Sequence, residues 1–224
     1  MPPNPAPILL LTRPEPASRR FAAGLGQPGL KMLISPVLRI RPVAHDAARL
    51  AAARGLVFTS VNAVPAAGQG RGRPAICVGP ATAEAARAAG FDVTEGPGDA
   101  ARMLPLLEGL GEGWLHPHGA HVAKVLPVPG MVVYDQLPQP LDGPARTVLA
   151  GAAPVILPLF SPRSARILAD QAAGARAPLW LAPISAAARE AWTGPAAQVA
   201  LAPTPDAEGM LCAIRRLLAT EQSA

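Results

Sequence analysis

Tyr134 is the only tyrosine in the chain, and it closes the apolar run Met131-Val132-Val133 just before a proline-rich extended stretch. A phenol there either anchors packing through its ring or, beside a cleft, donates a proton to a leaving group. Small hydroxyl residues recur in matched places. Ser60 follows the run Leu56-Val57-Phe58-Thr59 and Ser161 follows Val155–Phe160, while Thr82 follows Gly79-Pro80 and Ser185 follows Ala182-Pro183. Asp99 and Asp206 continue the correspondence, which is what two diverged copies of one unit leave behind. Each turn lies where an apolar run hands over to a helix, and unpaired N–H groups and the positive end of the helix dipole gather there. A hydroxyl at one such turn is either an N-cap, worth about 1 kcal/mol, or part of a carboxylate receptor. The paired recurrence favours ligand contact. His116, His118 and His121 form H-x-H-x-x-H, a spacing that raises a metal site. Pro117 and Gly119 exclude a helix there, and no carboxylate or thiolate set lies close in sequence. The expectation is therefore a turn whose imidazoles face solvent or ligand, with no metal.

The elements that must position these groups alternate. Short apolar runs at 8–12, 31–35, 56–59, 75–78, 113–116, 130–134, 154–160, 178–182 and 198–202 read as strands. Most are separated by helical patterns, such as the Ala-rich Ala81–Ala89 closed by Gly90 and the amphipathic Ala207–Ala219. Alternation of this kind gives an α/β fold with parallel sheets covered on both faces. Two segments, 37–43 (VLRIRPV) and 133–141 (YDQLPQPL after Val133), lack a helical pattern and read as extended connectors. They divide the chain into a discontinuous first domain, 1–36 plus 142–224, and a second domain, 44–132.

Half the residues are apolar and 16% are charged, which excludes a disordered chain. Prolines interrupt the longest uncharged stretch, so no membrane span is expected. The N-terminus lacks the basic start of a signal peptide. Cys77 and Cys212 lie in apolar contexts, as buried thiols do in a reducing cytoplasm. A net charge of +5 suits a polyanionic ligand. Nucleic acid is the usual polyanion, but aromatics total 4% and no basic stripe appears. Neither a phosphate-binding glycine loop nor a G-x-S-x-G nucleophile elbow is present, which argues against nucleotide binding and hydrolase chemistry.

Taken in order, LLTRPEP, FTSVNAV, VGPATAEAARAAGF, VVYDQLP, FSPRSA, PISAAARE and PTPDAEGML resemble uroporphyrinogen-III synthases across nearly the whole chain. The resemblance implies two α/β domains, each a flavodoxin-like three-layer unit, the first discontinuous, joined by a two-stranded ladder at 37–43 and 133–141. It implies a monomeric cytoplasmic lyase of tetrapyrrole biosynthesis that uses no cofactor and no metal. Its substrate would be hydroxymethylbilane, which loses water and closes with ring D inverted through a spiro intermediate. The enzyme that makes hydroxymethylbilane is then a candidate partner. Tyr134 matches the family's proposed proton donor, and Thr82 and Ser185 match its paired turn hydroxyls. Arg13, Ser60, Asn62, Gly119 and Ser161 would hold substrate carboxylates, much of it through backbone N–H groups. The chain departs from the family's pattern at Ala182 and Ser185, where glycine and threonine are usual, and at His116-Pro-His-Gly119, where the loop usually begins with arginine and glycine. A non-catalytic module of the same fold, binding a tetrapyrrole or another polyanion, is the alternative.

Overall fold

A computed structural model describes residues 5–98, 100, 102–122 and 124–221. Asp99 lies outside them. The chain forms two compact units, one of Met1–Arg39 with Pro138–Ala224 and one of Ile40–Leu137. In chain order the elements begin with β1 (Ile8–Leu11), α1 (Glu15–Leu25), β2 (Lys31–Ile34) and β3 (Leu38–Pro42). Next come α2 (Ala47–Ala52), β4 (Gly55–Phe58), a 3₁₀ helix (Val61–Ala67), β5 (Pro74–Cys77), α3 (Pro80–Ala88) and β6 (Asp92–Glu95). Then follow α4 (Leu104–Leu107), β7 (Trp114–Gly119), β8 (Gly130–Pro138), α5 (Gly143–Leu149) and β9 (Val155–Leu159). The chain closes with α6 (Pro162–Gln171), β10 (Leu179–Pro183), α7 (Ala186–Glu190), β11 (Gln198–Val199) and α8 (Ala207–Glu221). No helix among the described residues is long and apolar enough to cross a membrane.

The first unit carries a parallel sheet in the order β11-β10-β9-β1-β2. Its central strands β1, β9 and β10 are apolar throughout because both of their faces are covered, whereas the edge strands β2 and β11 carry Lys31 and Gln198. Leu10, Val155, Leu157, Leu179 and Leu181 enter one core, and alternate residues Leu9, Leu11, Ile156 and Trp180 enter the other. The second unit's sheet runs β3-β8-β7-β4-β5-β6. Leu56, Phe58, Ala75 and Leu115 pack on one side, and Val57, Ile76, Met103 and Leu107 on the other. The strand order reverses direction between β1 and β9 in the first unit and between β4 and β7 in the second. Ligands of open parallel sheets bind at such reversals, outside the carboxyl ends of the strands.

The segments read as connectors are β3 and the end of β8. The two run in opposite directions, since Val43 donates to Val133 and Gln139 donates to Val37 at the two ends of their shared stretch. Two expectations fail. The turn expected at 116–121 is strand as far as Gly119, because β7 continues pairing with β8 beyond its β4 ladder, which ends at Leu115. Pro117 is tolerated there because only β8 pairs alongside it. β6 was not anticipated, since Asp92-Val-Thr-Glu95 is an edge strand whose mostly exposed side chains leave no apolar run to read.

Candidate functional site

In the second unit, β4 stops at Phe58 and the chain turns into the 3₁₀ helix. Ser60 caps that helix: its backbone is extended, and its hydroxyl accepts from the Asn62 N–H at 3.2 Å. The Asn62 backbone is therefore already engaged with Ser60. Beside this turn, just past the end of β5, Gly79 rather than Thr82 occupies the cap position of α3, with Pro80 as the first helical residue. The N-cap role considered for Thr82 is thus corrected. It lies inside the first turn, 5% exposed, and its hydroxyl has no hydrogen-bond partner among the described residues. Ser185, its counterpart in the first unit, is a true cap that accepts from the Ala188 N–H at 3.3 Å. Strand β10 runs through Pro183, whereas β5 ends before Gly79, so one motif enters its helix in two registers.

Tyr134 emerges at the same carboxyl edge of the second unit. It is 5% exposed, its ring packs with the core under β4 and β7, and it lies against Gly119. The hydroxyl has no hydrogen-bond partner among the described residues, so ring anchoring and a free phenol coexist in one residue. Thr59 and His116 meet beside them, at the strand-order reversal, with Thr59 Oγ1 2.9 Å from His116 Nε2. The sequence singled out His116 only within the H-x-H-x-x-H run and passed over Thr59; the one signal for their meeting was a hydroxyl directly before Ser60.

The three histidines do not converge. His116 is 3% exposed and tilts against the His118 ring at 4.8 Å between centroids. His118 Nδ1 lies 2.7 Å from the Gly119 carbonyl oxygen, and His121 faces Asp135, which also faces Arg41, both at 3.8 Å. His116 thus lies on a strand, as the run at 113–116 predicts, and of the two expected settings for its imidazole the solvent-facing one is ruled out by burial. Burial, and secondarily the charge of His118, push its pKa down to about 4. At neutral pH it is an uncharged imidazole and cannot pair with a carboxylate as a cation.

An unfolded chain takes up this proton near pH 6.5, the folded chain only near 4. Stability contributed by His116 is complete above pH 6.5 and is lost as pH falls from there towards 4. Urea unfolding across that range should show a loss of a few kcal/mol that His116→Gln removes. Parallel curves for the two proteins would mean that His116 is protonated without cost.

In the first unit, Thr12 and Arg13 follow β1, and Phe160 and Ser161 follow β9, the two sides of the strand-order reversal. Ser161 is extended and caps α6; its hydroxyl accepts from the Ser164 N–H at 3.1 Å and meets Ser164 Oγ at 2.8 Å. The Arg13 guanidinium lies over the Phe160 ring, 4.5 Å from its centroid, and Phe21 meets that ring edge-on at 4.9 Å. Ser18 Oγ holds the Arg13 carbonyl at 2.9 Å, which ties the first turn of α1 back to this residue. No carboxylate pairs with the guanidinium among the described residues. Burial, then repulsion from Arg20, lower its pKa, the sign expected of a cation without a counter-ion. Not every basic residue is so placed: Arg73 donates to the carbonyls of Leu50, Ala51 and Ala67 and serves the framework.

Comparison with family models matches residues 19–212 to the family described as uroporphyrinogen-III synthase HemD. The matched range contains every candidate residue above except Arg13. No curated protein matches the chain. Among solved structures, a uroporphyrinogen-III synthetase from Helicobacter pylori 26695 aligns with a TM-score of 0.59 at 16% identity, covering 95% of this chain and 100% of that one. A uroporphyrinogen III synthase from Thermus thermophilus aligns at 18% identity with a TM-score of 0.39, covering 96% of this chain and 100% of that one. The Helicobacter protein shares the α/β fold described here.

Proposed function

This chain belongs to the uroporphyrinogen-III synthase family, the cyclising lyases of tetrapyrrole biosynthesis, and from that premise we propose how its own residues divide the work. Tyr134 is the proton donor. Its hydroxyl gives a proton to the departing hydroxyl of hydroxymethylbilane as the carbon–oxygen bond breaks, and water leaves. The electron pair that replaces that bond comes from the adjoining pyrrole, giving an azafulvene. The far ring attacks it, and the resulting spiro intermediate breaks and recloses with ring D inverted. The proton released as the last pyrrole regains aromaticity restores the phenol. Atoms balance as substrate to uroporphyrinogen III plus water.

The observation that carries this reading is the phenol at the carboxyl edge of its sheet, ring packed and hydroxyl without a hydrogen-bond partner among the described residues. The hydroxyl oxygen is not among the enclosed side-chain atoms that lack a partner, so it is open to solvent or to a ligand while its ring is buried. Thr82 has the same character. Arg13, Ser60, Asn62, Ser161 and Ser185 are assigned to the acetate and propionate groups, Arg13 through its charge and the serines through hydroxyls and neighbouring N–H groups. Holding a flexible linear molecule so that its ends meet is chiefly a positioning task. The same reading has the protein act as a cytoplasmic monomer, with the enzyme that makes hydroxymethylbilane as its candidate partner.

The deciding measurement supplies freshly made hydroxymethylbilane and separates the oxidised products by isomer. Type III porphyrin should form in proportion to enzyme. Type I alone, the product of spontaneous closure, would leave a tetrapyrrole-binding module without catalysis.

A further inference from the structure

Strand β8 is out of step with β7 at one point. His116 pairs with Gly130, Pro117 with Met131 and His118 with Val132, but Gly119 pairs with Tyr134, so Val133 is an extra residue opposite the His118–Gly119 bond. The ladder resumes beyond it, since the Ala120 N–H donates to the Tyr134 carbonyl at 2.9 Å. Side chains alternate faces along a regular strand, and a bulge resets that alternation. Met131 is buried, Val132 is 41% exposed and Val133 is 1% exposed. Strict alternation would put Tyr134 on the side of exposed Val132. Instead Tyr134 shares one core with Met131 and Val133, its neighbour in sequence.

Gly119 leaves the space into which the ring is turned. A Cβ on Gly119 would stand 2.6 Å from Tyr134 Cε2, 2.7 Å from Cζ and 3.0 Å from the hydroxyl oxygen, all inside contact distance. The backbone makes no demand for glycine here, because Gly119 is absent from the positions of positive φ. The reason for a glycine is the phenol. His118 Nδ1, 2.7 Å from the Gly119 carbonyl oxygen, makes a second contact with this glycine.

We propose that Gly119, with the bulge opposite it, is a positioning residue that aims the Tyr134 phenol, and that it acts on the reaction through this phenol rather than by receiving a substrate carboxylate. The proposal rests on Tyr134 as proton donor. It moves Gly119 from the substrate contacts that the resemblance implies to the machinery of the tyrosine.

The single tyrosine makes a direct test possible. Protein labelled with tyrosine carrying ¹³C at the ζ carbon gives one resonance, that of Tyr134. In Gly119→Ala this resonance should shift, kcat should fall on the order of a hundredfold as a displaced group does, and KM should stay within about twofold. Added to Tyr134→Phe, the same substitution should cost little more, because the group it misplaces is already gone. An unshifted resonance overturns the proposal. So does a raised KM with kcat held, or a loss that multiplies undiminished in the double variant. If Tyr134→Phe proves fully active, the proton-donor reading falls, while the resonance still decides whether Gly119 aims the ring. Should Gly119→Ala fail to fold, the clash must vanish with the ring: Gly119→Ala in a Tyr134→Ala background should melt with Tyr134→Ala alone. A further drop in melting temperature would overturn the steric argument.

Discussion

Tyr134→Phe lowers kcat by about 10²- to 10⁴-fold, the range a positioned general acid supplies, and leaves KM nearly unchanged. Phenylalanine keeps the ring that fills the space over Gly119, so packing with Leu115, Met131 and Val133 persists. What disappears is one hydroxyl that no described residue engages. Removing a group bonded within the protein would strand its partner and cost stability; here no partner is stranded. Loss of rate with an unchanged melting temperature therefore separates proton donation from ring anchoring. Steady-state kinetics with isomer analysis should also show the slow variant's products drifting towards type I, because spontaneous closure competes once the enzyme is slow. A variant with wild-type turnover removes the assigned role.

Arg13→Met raises KM by about ten- to a hundredfold, the worth of roughly 1.5–3 kcal/mol for a hydrogen bond to a charged group, and does not lower thermal stability. The two halves of this expectation share one cause. The guanidinium lies on the Phe160 ring, partly buried, repelled by Arg20 and without a carboxylate among the described residues to neutralise it. Methionine keeps contact with the aromatic pair while removing an uncompensated charge. Lysine restores charge but not the planar stack, so Arg13→Lys should recover only part of the affinity. Salt should weaken binding to the wild type more than to the methionine variant. A melting temperature that drops together with affinity would instead make Arg13 a structural residue.

The strands and their alternation with helices were legible because a strand buried on both faces is an unbroken apolar run, as in Ile8–Leu11 and Leu179–Pro183. β6 was not, since an edge strand with exposed side chains has no such run. The stretch after His116 was misread for a related reason. Pro117 and Gly119 are punctuation in most sequences, but here the glycine serves a neighbouring ring and the proline occupies a stretch paired on one side only. The kinship of Thr82 and Ser185 was legible as a repeated motif, yet their difference was not. Whether a hydroxyl caps a helix depends on where the helix starts, and that start is set three residues apart in the two copies by how far β5 and β10 run. The bulge at Val133 was out of reach for a deeper reason. It belongs to the pairing of two strands, and no single stretch of sequence contains it.

The first unit is made from the two ends of the chain, with Ile40–Leu137 between them. Synthesis delivers these parts in order, so β1 and β2 leave the ribosome as a parallel pair whose other neighbours do not yet exist. Ile8 must wait for Val155, and the central position of β1 is filled only after the inserted unit has been completed. That unit has all of its own core residues in one continuous stretch and can fold while the rest is still being translated. For that interval the apolar residues of β1, Leu9 to Leu11, lack the β9 edge that later covers them, and this is when the nascent protein is most exposed to aggregation. The order of assembly thus places the phenol-bearing half first and the arginine-bearing half last.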